Sequence, residues 1–143
     1  MGKKRIMKKS GGSDVAGTSR ALNRIPKRKL ANGRLNITAT FNNTLVTLCD
    51  TKGNSLIAAS SGALGFKGSR KSTPFAAAKV GEIIGEKAQQ MGMKEAEVVI
   101  RGVGAGRESA LRAFAGKGIG ITKIIDRTPV PFNGPRAPKP RRV

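Results

Sequence analysis

Histidine, tryptophan and tyrosine do not occur in this sequence of 143 residues, cysteine occurs once, and only 8 acidic side chains face 28 lysines and arginines. Each scarcity closes a class of function. Without histidine, and with Cys49 alone, the chain cannot build a zinc centre, and no other metal or cofactor is expected. A single cysteine also excludes an internal disulfide and fits a reducing compartment, the cytoplasm. No run of about twenty apolar residues is present to span a bilayer. The amino terminus is basic but lacks the apolar stretch of a signal peptide. The five phenylalanines are too few to supply both a core and the exposed platforms on which single-strand binders stack bases. With Phe41, Phe75 and Phe114 expected inside, recognition should run through phosphates, backbone donors and folded shape.

What is abundant is positive charge, +20 in all, and its distribution divides the chain. Residues 1–34 carry eleven lysines and arginines against Asp14, residues 127–143 carry five and no acid, and residues 35–126 carry twelve against seven acids. A moderately basic domain (35–126) thus lies between a basic amino-terminal extension (1–34) and a basic, proline-rich carboxyl-terminal tail (127–143). Nucleic acid, not a membrane, is the expected partner of such a chain. The extension holds Lys3-Lys4-Arg5, Lys8-Lys9 and Lys27-Arg28-Lys29 among few apolar residues. It cannot offset its ordering entropy and should be disordered when free. In the tail, Pro129, Pro131, Pro135, Pro138 and Pro140 forbid regular structure and favour a stiff, extended path.

Within the domain, Leu35, Ile37, Ala39 and Phe41 alternate with polar residues, a strand with one buried face. Asn42-Asn43 makes a turn, Thr44 to Cys49 a second strand, Asp50–Asn54 a second turn and Ser55 to Ser60 a third strand, giving an antiparallel meander. Ser61 to Ser72 is a glycine-rich basic loop. It nearly spells a Walker A motif, with Gly65, Lys71 and Ser72 in place, but Arg70 stands where the second glycine must let backbone curl around phosphate, so nucleotide hydrolysis is rejected. Thr73-Pro74 opens a helix over 74–91 as N-cap and first residue. Its buried side is expected at Ala76, Val80, Ile83, Ile84 and Met91. A fourth strand follows over 95–102, a short helix over 108–115 with a Glu108–Arg112 pair, and a fifth strand over 121–126.

Between the fourth strand and the short helix lies Arg101-Gly102-Val103-Gly104-Ala105-Gly106-Arg107. A dinucleotide fingerprint would need a third glycine at 107, where arginine stands. A strand-to-helix junction exposes unpaired N–H groups at the positive end of the helix dipole, a ready anion site. Arg107 at that end should cost the free protein through the dipole and become a charge-assisted donor once a phosphate is present. The competing reading is a tight turn whose glycines only permit close packing. Crossovers through helices should make strands three, four and five parallel, which brings both glycine-rich loops, the Asn42-Asn43 turn and the start of the tail to one edge of the sheet. The candidate RNA-binding residues are therefore Asn42, Asn43, Lys67, Gly68, Arg70, Lys71, Ser72, Thr73, Gly104, Gly106, Arg107, Arg127, Asn133, Arg136, Lys139, Arg141 and Arg142.

Several motifs, in order along about residues 34–143, strongly resemble the small ribosomal subunit protein eleven family. They are Phe41-Asn42-Asn43-Thr44, Gly68-Ser69-Arg70-Lys71-Ser72-Thr73-Pro74, Gly104-Ala105-Gly106-Arg107-Glu108-Ser109-Ala110, Asp126-Arg127-Thr128-Pro129-Val130-Pro131, and the ending Asn133-Gly134 to Val143. The ending is similar to the bacterial and organellar branch, so the bacterial cytoplasm, or an organellar matrix or stroma, is implied. The resemblance implies an α/β fold similar to ribonuclease H and a non-enzymatic binder of small-subunit rRNA on the subunit platform. It also implies neighbours among platform proteins and a position near the mRNA exit path, with mRNA a further partner; no homo-oligomer is expected. Two departures mark this chain: Val103 and Ala105 where the family usually carries a proline, and Phe132 and Pro135 where it usually has histidine and cysteine.

Two other classes of function fit the sequence less well. A metal-dependent nuclease would draw on Asp50, Glu108 and Asp126, but two-metal chemistry needs clustered carboxylates, and Asp50 is expected at the opposite edge. A DNA-coating protein would have no use for two shaped loops.

Overall fold

The first strand, β1 (Asn32–Ala39), starts three residues ahead of Leu35 because Gly33 and Arg34 find partners on both sides. They face Asp50 and Cys49 on β2 (Thr44–Asp50), and Ala96 and Glu97 on β4 (Glu95–Arg101). These positions come from a computed structural model that describes residues 25–142. The disorder expected of the basic extension lies, for residues 1–24, outside the described residues. Just ahead of β1, the Leu30 N–H donates to the Met91 carbonyl at 3.1 Å, and the Leu30 side chain packs against the core.

The sheet has five strands in the order β3-β2-β1-β4-β5, with β3 spanning Ser55–Ser60 and β5 Gly120–Asp126. Pairing is antiparallel from β3 through β2 to β1, and parallel from β1 through β4 to β5. The third, fourth and fifth strands point the same way, as their helical connections require. They are not all neighbours, however: β4 enters beside β1, so the connection from β3 passes two strands. This single α/β domain, a meander continuing into parallel strands with two helices, has the ribonuclease H-like arrangement that the family resemblance implies.

The helices are α1 (Pro74–Gln90) and α2 (Gly106–Ala115). At the start of α1, Thr73 Oγ1 accepts from Ala76 N at 3.3 Å and Pro74 fills the first turn, the cap chemistry that the sequence announces. Leu35, Ile37, Val46, Leu48, Val98 and Ile100 from the sheet meet Val80, Ile84, Ala110 and Phe114 from the helices in one buried cluster. The helices pack closely because Gly81 and Gly85 leave a groove. A Cβ at either would come closer than 3.0 Å to its neighbour, the Ala110 carbonyl for Gly81 and the Lys117 side chain for Gly85. Ile83, expected on the buried side, is only half-buried.

Two of the three phenylalanines assigned to the core are outside it. Phe114 is fully buried, but Phe41 is 76% and Phe75 64% exposed. The alternation that placed Phe41 inward stops at Ala39, where β1 ends, and Phe41 sits in the turn beyond. Phe75 occupies the first turn of α1, off the face that carries Ala76, Ala77, Val80 and Ile84. The inference that the chain lacks exposed aromatic surface is therefore corrected.

Candidate nucleic-acid interface

Strand directions place the carboxyl ends of β1, β3, β4 and β5 and the start of β2 on one edge. Four chain segments meet there. The first is the turn from Thr40 to Asn43. It is closed by Thr40 N donating to the Asn43 carbonyl at 2.9 Å, and by Thr40 Oγ1 accepting from Asn43 N at 3.0 Å. Asn43 Oδ1 then accepts from Thr44 N at 3.0 Å and from Gly62 N at 3.4 Å. That oxygen ties the turn to the next loop, while the Asn42 side chain stays exposed.

The second segment is the basic loop, whose end coils into a 3-10 turn over Gly68–Ser72. Ser72 Oγ donates to the Ser69 carbonyl at 3.1 Å and Thr73 Oγ1 to the Arg70 carbonyl at 2.7 Å. Both hydroxyls, read as contact groups, serve the loop's own shape. Gly68 holds a φ of +60° at the start of the turn, a conformation that glycine adopts at no steric cost. Lys67 and Arg70 are exposed and Lys71 is half-buried, its stem 3.5 Å from where a Cβ on Gly62 would stand. Among the described residues, none of these three cations enters an ion pair.

The third segment, the glycine loop, departs from its expectation. A Cβ on Gly102 or Gly104 would come closer than 3.0 Å to the backbone of Ala39 or Thr40, and one on Gly106 to Thr44 and Ala77. Gly102 also sits at φ +92°. The glycines therefore let this loop press onto the β1–β2 turn, the close-packing reading. The loop's N–H groups are partly engaged: Gly104 N donates to the Ala39 carbonyl at 3.0 Å, and Gly102 N to Thr128 Oγ1 at 3.2 Å. α2 begins at Gly106, two residues earlier than expected, with no side-chain cap at Ala105.

Arg107 is not a cation awaiting an anion. Its Nη2 donates to Asp126 Oδ2 and its Nη1 to the Gly102 carbonyl at 2.6 Å. Asp126 Oδ1 in turn accepts from the Thr128 hydroxyl at 2.6 Å and the Thr128 N–H at 2.9 Å. The ring of contacts Arg107–Asp126–Thr128–Gly102 joins the start of α2, the glycine loop and the end of β5. The Thr128 hydroxyl, the Arg107 guanidinium and the Thr128 N–H hold the Asp126 carboxyl down at about 2, from an ordinary 3.8. The expectation that Arg107 costs the free protein through the helix dipole is overturned, because Asp126 neutralises it. Sequence spacing gave no sign of this pair; the crossover from α2 to β5 creates it.

The fourth segment is the tail, which leaves β5 at Arg127, whose N–H donates to the Ile100 carbonyl at 2.8 Å. Arg127, Asn133, Arg136, Lys139, Arg141 and Arg142 are all exposed. Phe41, Phe75 and Phe132 are exposed as well, and sequence reasoning missed them. The turn is closed between Thr40 and Asn43, so Phe41 and Asn42 are its central residues and Phe41 belongs to neither strand. A turn placed at Asn42-Asn43 leaves Phe41 on the strand, and alternation carried no mark of the shift.

The acids are dispersed. Asp50 ends β2 at the opposite edge, Glu108 is paired with Arg112 at 3.2 Å, and Asp126 is held as described. Among the described residues, no three acidic or cysteine side chains are grouped to hold a metal ion, and no helix is long and apolar enough to cross a membrane. The opposite edge carries a groove of about 430 Å³ lined by Arg34 and Lys123 but also Glu95 and Glu97, with Arg34 and Glu97 paired at 3.0 Å. Its charge is balanced, whereas the edge with the loops presents cations that have no ion pair among the described residues. Compared with known families, residues 33–142 match the family model described as ribosomal protein S11. With that match over most of its length, the chain belongs to the ribosomal protein S11 family and is a small-subunit ribosomal protein that binds rRNA.

Proposed function

We propose that the loop-bearing edge is the rRNA face and that the protein works there as a clamp on folded RNA, without catalysis. Lys67, Arg70 and Lys71 from the basic loop and Arg127, Arg136, Lys139, Arg141 and Arg142 from the tail neutralise phosphates. Asn42 and Asn133 supply amide donors beside them. Gly104, Gly106 and Arg107 contribute by holding the edge in shape. The observation that carries this reading is the gathering of four segments on one edge, where the loop cations have no acidic partner among the described residues. In the assembled subunit this face sits on the platform, near the mRNA exit path and beside other platform proteins, with the tail within reach of mRNA. The ending of the chain favours a ribosome of bacterial or organellar type.

Hydroxyl-radical footprinting tests the face: cleavage from probes tethered at residues 42, 70 and 136 should fall on one folded region of the rRNA, and cleavage from residue 52, at the opposite edge, should not. Neutralising about six to ten phosphates should also make affinity fall roughly 10³–10⁵-fold between 50 and 200 mM salt. An affinity indifferent to salt would end the electrostatic account.

A further inference from the structure

We propose that Phe41 is a stacking platform for an unpaired nucleobase of the rRNA, so that this edge grips a base as well as phosphates. The inference rests on the assignment of the edge as the RNA face. Phe41 stands at the tip of a turn held by three hydrogen bonds: Thr40 N to the Asn43 carbonyl, Asn43 N to Thr40 Oγ1, and Gly62 N to Asn43 Oδ1. Its side chain is nonetheless 76% exposed. A large apolar ring on a turn held by hydrogen bonds on either side of it contributes almost nothing to the core. In a complex it is already positioned, and little ordering cost remains.

The other phenylalanines on this surface differ in the ways that matter. Phe75 is engaged by the edge of Phe66, ring centroids 6.1 Å apart at 85°, and by Lys79 Nζ at 5.7 Å. Phe132, at 105% exposure, rides on a tail segment with no regular structure to position it. Among the described residues, Phe41 has neither an aromatic nor a cationic neighbour over its ring, so its faces are open.

The charge around the tip selects the occupant. Asn43 and the stem of Lys71 both approach Gly62, which sets the basic loop directly beside the turn. On the other side Arg101 ends β4 opposite Thr38 and is exposed. An apolar ring beside cations that enter no ion pair among the described residues suits a partner that brings anions and flat π-faces together, and unpaired RNA does so at every nucleotide. A protein neighbour would have to supply an acidic rim around an apolar pocket.

The sequence lacks tryptophan and tyrosine, so Phe41→Trp places a single selectively excitable reporter at the tip. With the full chain and a small-subunit rRNA transcript, this variant should bind close to wild type and its emission should be quenched on binding. Phe41→Ala and Phe41→Leu should each weaken binding roughly 5- to 150-fold, the effect of losing one base–aromatic stack. The slope of log K against log salt should stay unchanged, since a stack releases no counterions. Arg70→Ala is the control for the edge itself and should reduce that slope by about 1. If Arg70→Ala does so while the Phe41 variants bind like wild type, the edge stands and the stack falls. Wild-type binding by Phe41→Leu would mean an apolar wedge, and unquenched emission from Phe41→Trp would mean no base contact; either overturns the proposal. So would Phe41→Ala binding naked rRNA normally and failing only in the assembled subunit, which would assign the ring to a neighbouring protein. An unchanged slope for Arg70→Ala would count against the edge assignment instead.

Discussion

Residues 61–73 and residues 102–107 both set glycines and cations where the chain enters a helix, yet the tertiary structure puts them to different uses. In the first loop Lys67, Arg70 and Lys71 have no acidic partner among the described residues, and the hydroxyls of Ser72 and Thr73 brace the turn that presents them. In the second, the glycines are pressed onto the β1–β2 turn and Arg107 is joined to Asp126 and Gly102. Glycine beside a cation is thus an ambiguous signal. What distinguishes a contact loop from a packing loop is whether an acid lies within tertiary reach of the cation and backbone within reach of the glycine.

The comparison predicts a double dissociation. The largest effect should come from Arg70→Ala combined with Lys71→Ala. Charge-assisted contacts are worth about 1.5–3 kcal/mol each, so rRNA binding should fall by about 3 kcal/mol or more in a filter-binding titration, while the melting temperature hardly moves. Loss of folding in this variant would show that the two loops are not different in kind.

Gly106→Ala should do the reverse. A methyl group has no room between Thr44 and Ala77, and overpacking of this kind costs about 1–3 kcal/mol, read as an earlier denaturation midpoint. Binding by the fraction that stays folded should be near wild type. A stable Gly106→Ala protein that has lost rRNA would return the glycine loop to the role of anion site.

Arg107→Ala comes next. It should lower the melting temperature by several degrees, because it opens the ring that joins α2 to β5, and it should weaken binding less than Arg70→Ala does. The same ring has a pH signature. The folded-state value of Asp126 lies at about 2, below an ordinary 3.8. Its contribution to stability is therefore complete above the unfolded value and is lost as pH falls from there through about 2. Thermal melts between pH 5 and pH 2 should show that loss in the wild type and much less of it in Asp126→Asn.

The smallest effect belongs to Cys49, which lies on β2 away from both loops. It is buried, and its sulfur accepts from Asn36 Nδ2 at 3.2 Å. Cys49→Ser should leave rRNA affinity unchanged in the same titration. A lost affinity would extend the interface to the outer face of the sheet.

Much of this protein could be read along the chain because its causes are local. Alternation at Leu35, Ile37 and Ala39 predicted β1, the Thr73-Pro74 cap predicted the start of α1, and the charge census predicted a polyanion. Parallel crossovers even predicted which segments share an edge, since strand direction follows from the order of elements. The insertion of β4 beside β1 was not legible, because strand neighbours are chosen by packing of buried faces and carry no local mark. Nor was the fate of Arg107, whose partner Asp126 lies nineteen residues away and meets it only when β5 docks on β4. Phe41 followed the strand alternation in sequence, but the backbone turned one residue too soon for it to reach the core. Periodicity and composition determined the elements and the kind of partner. Only the tertiary structure decided which cations are neutralised within the chain and which are left for a ligand, because ion pairing depends on distances that the fold alone creates.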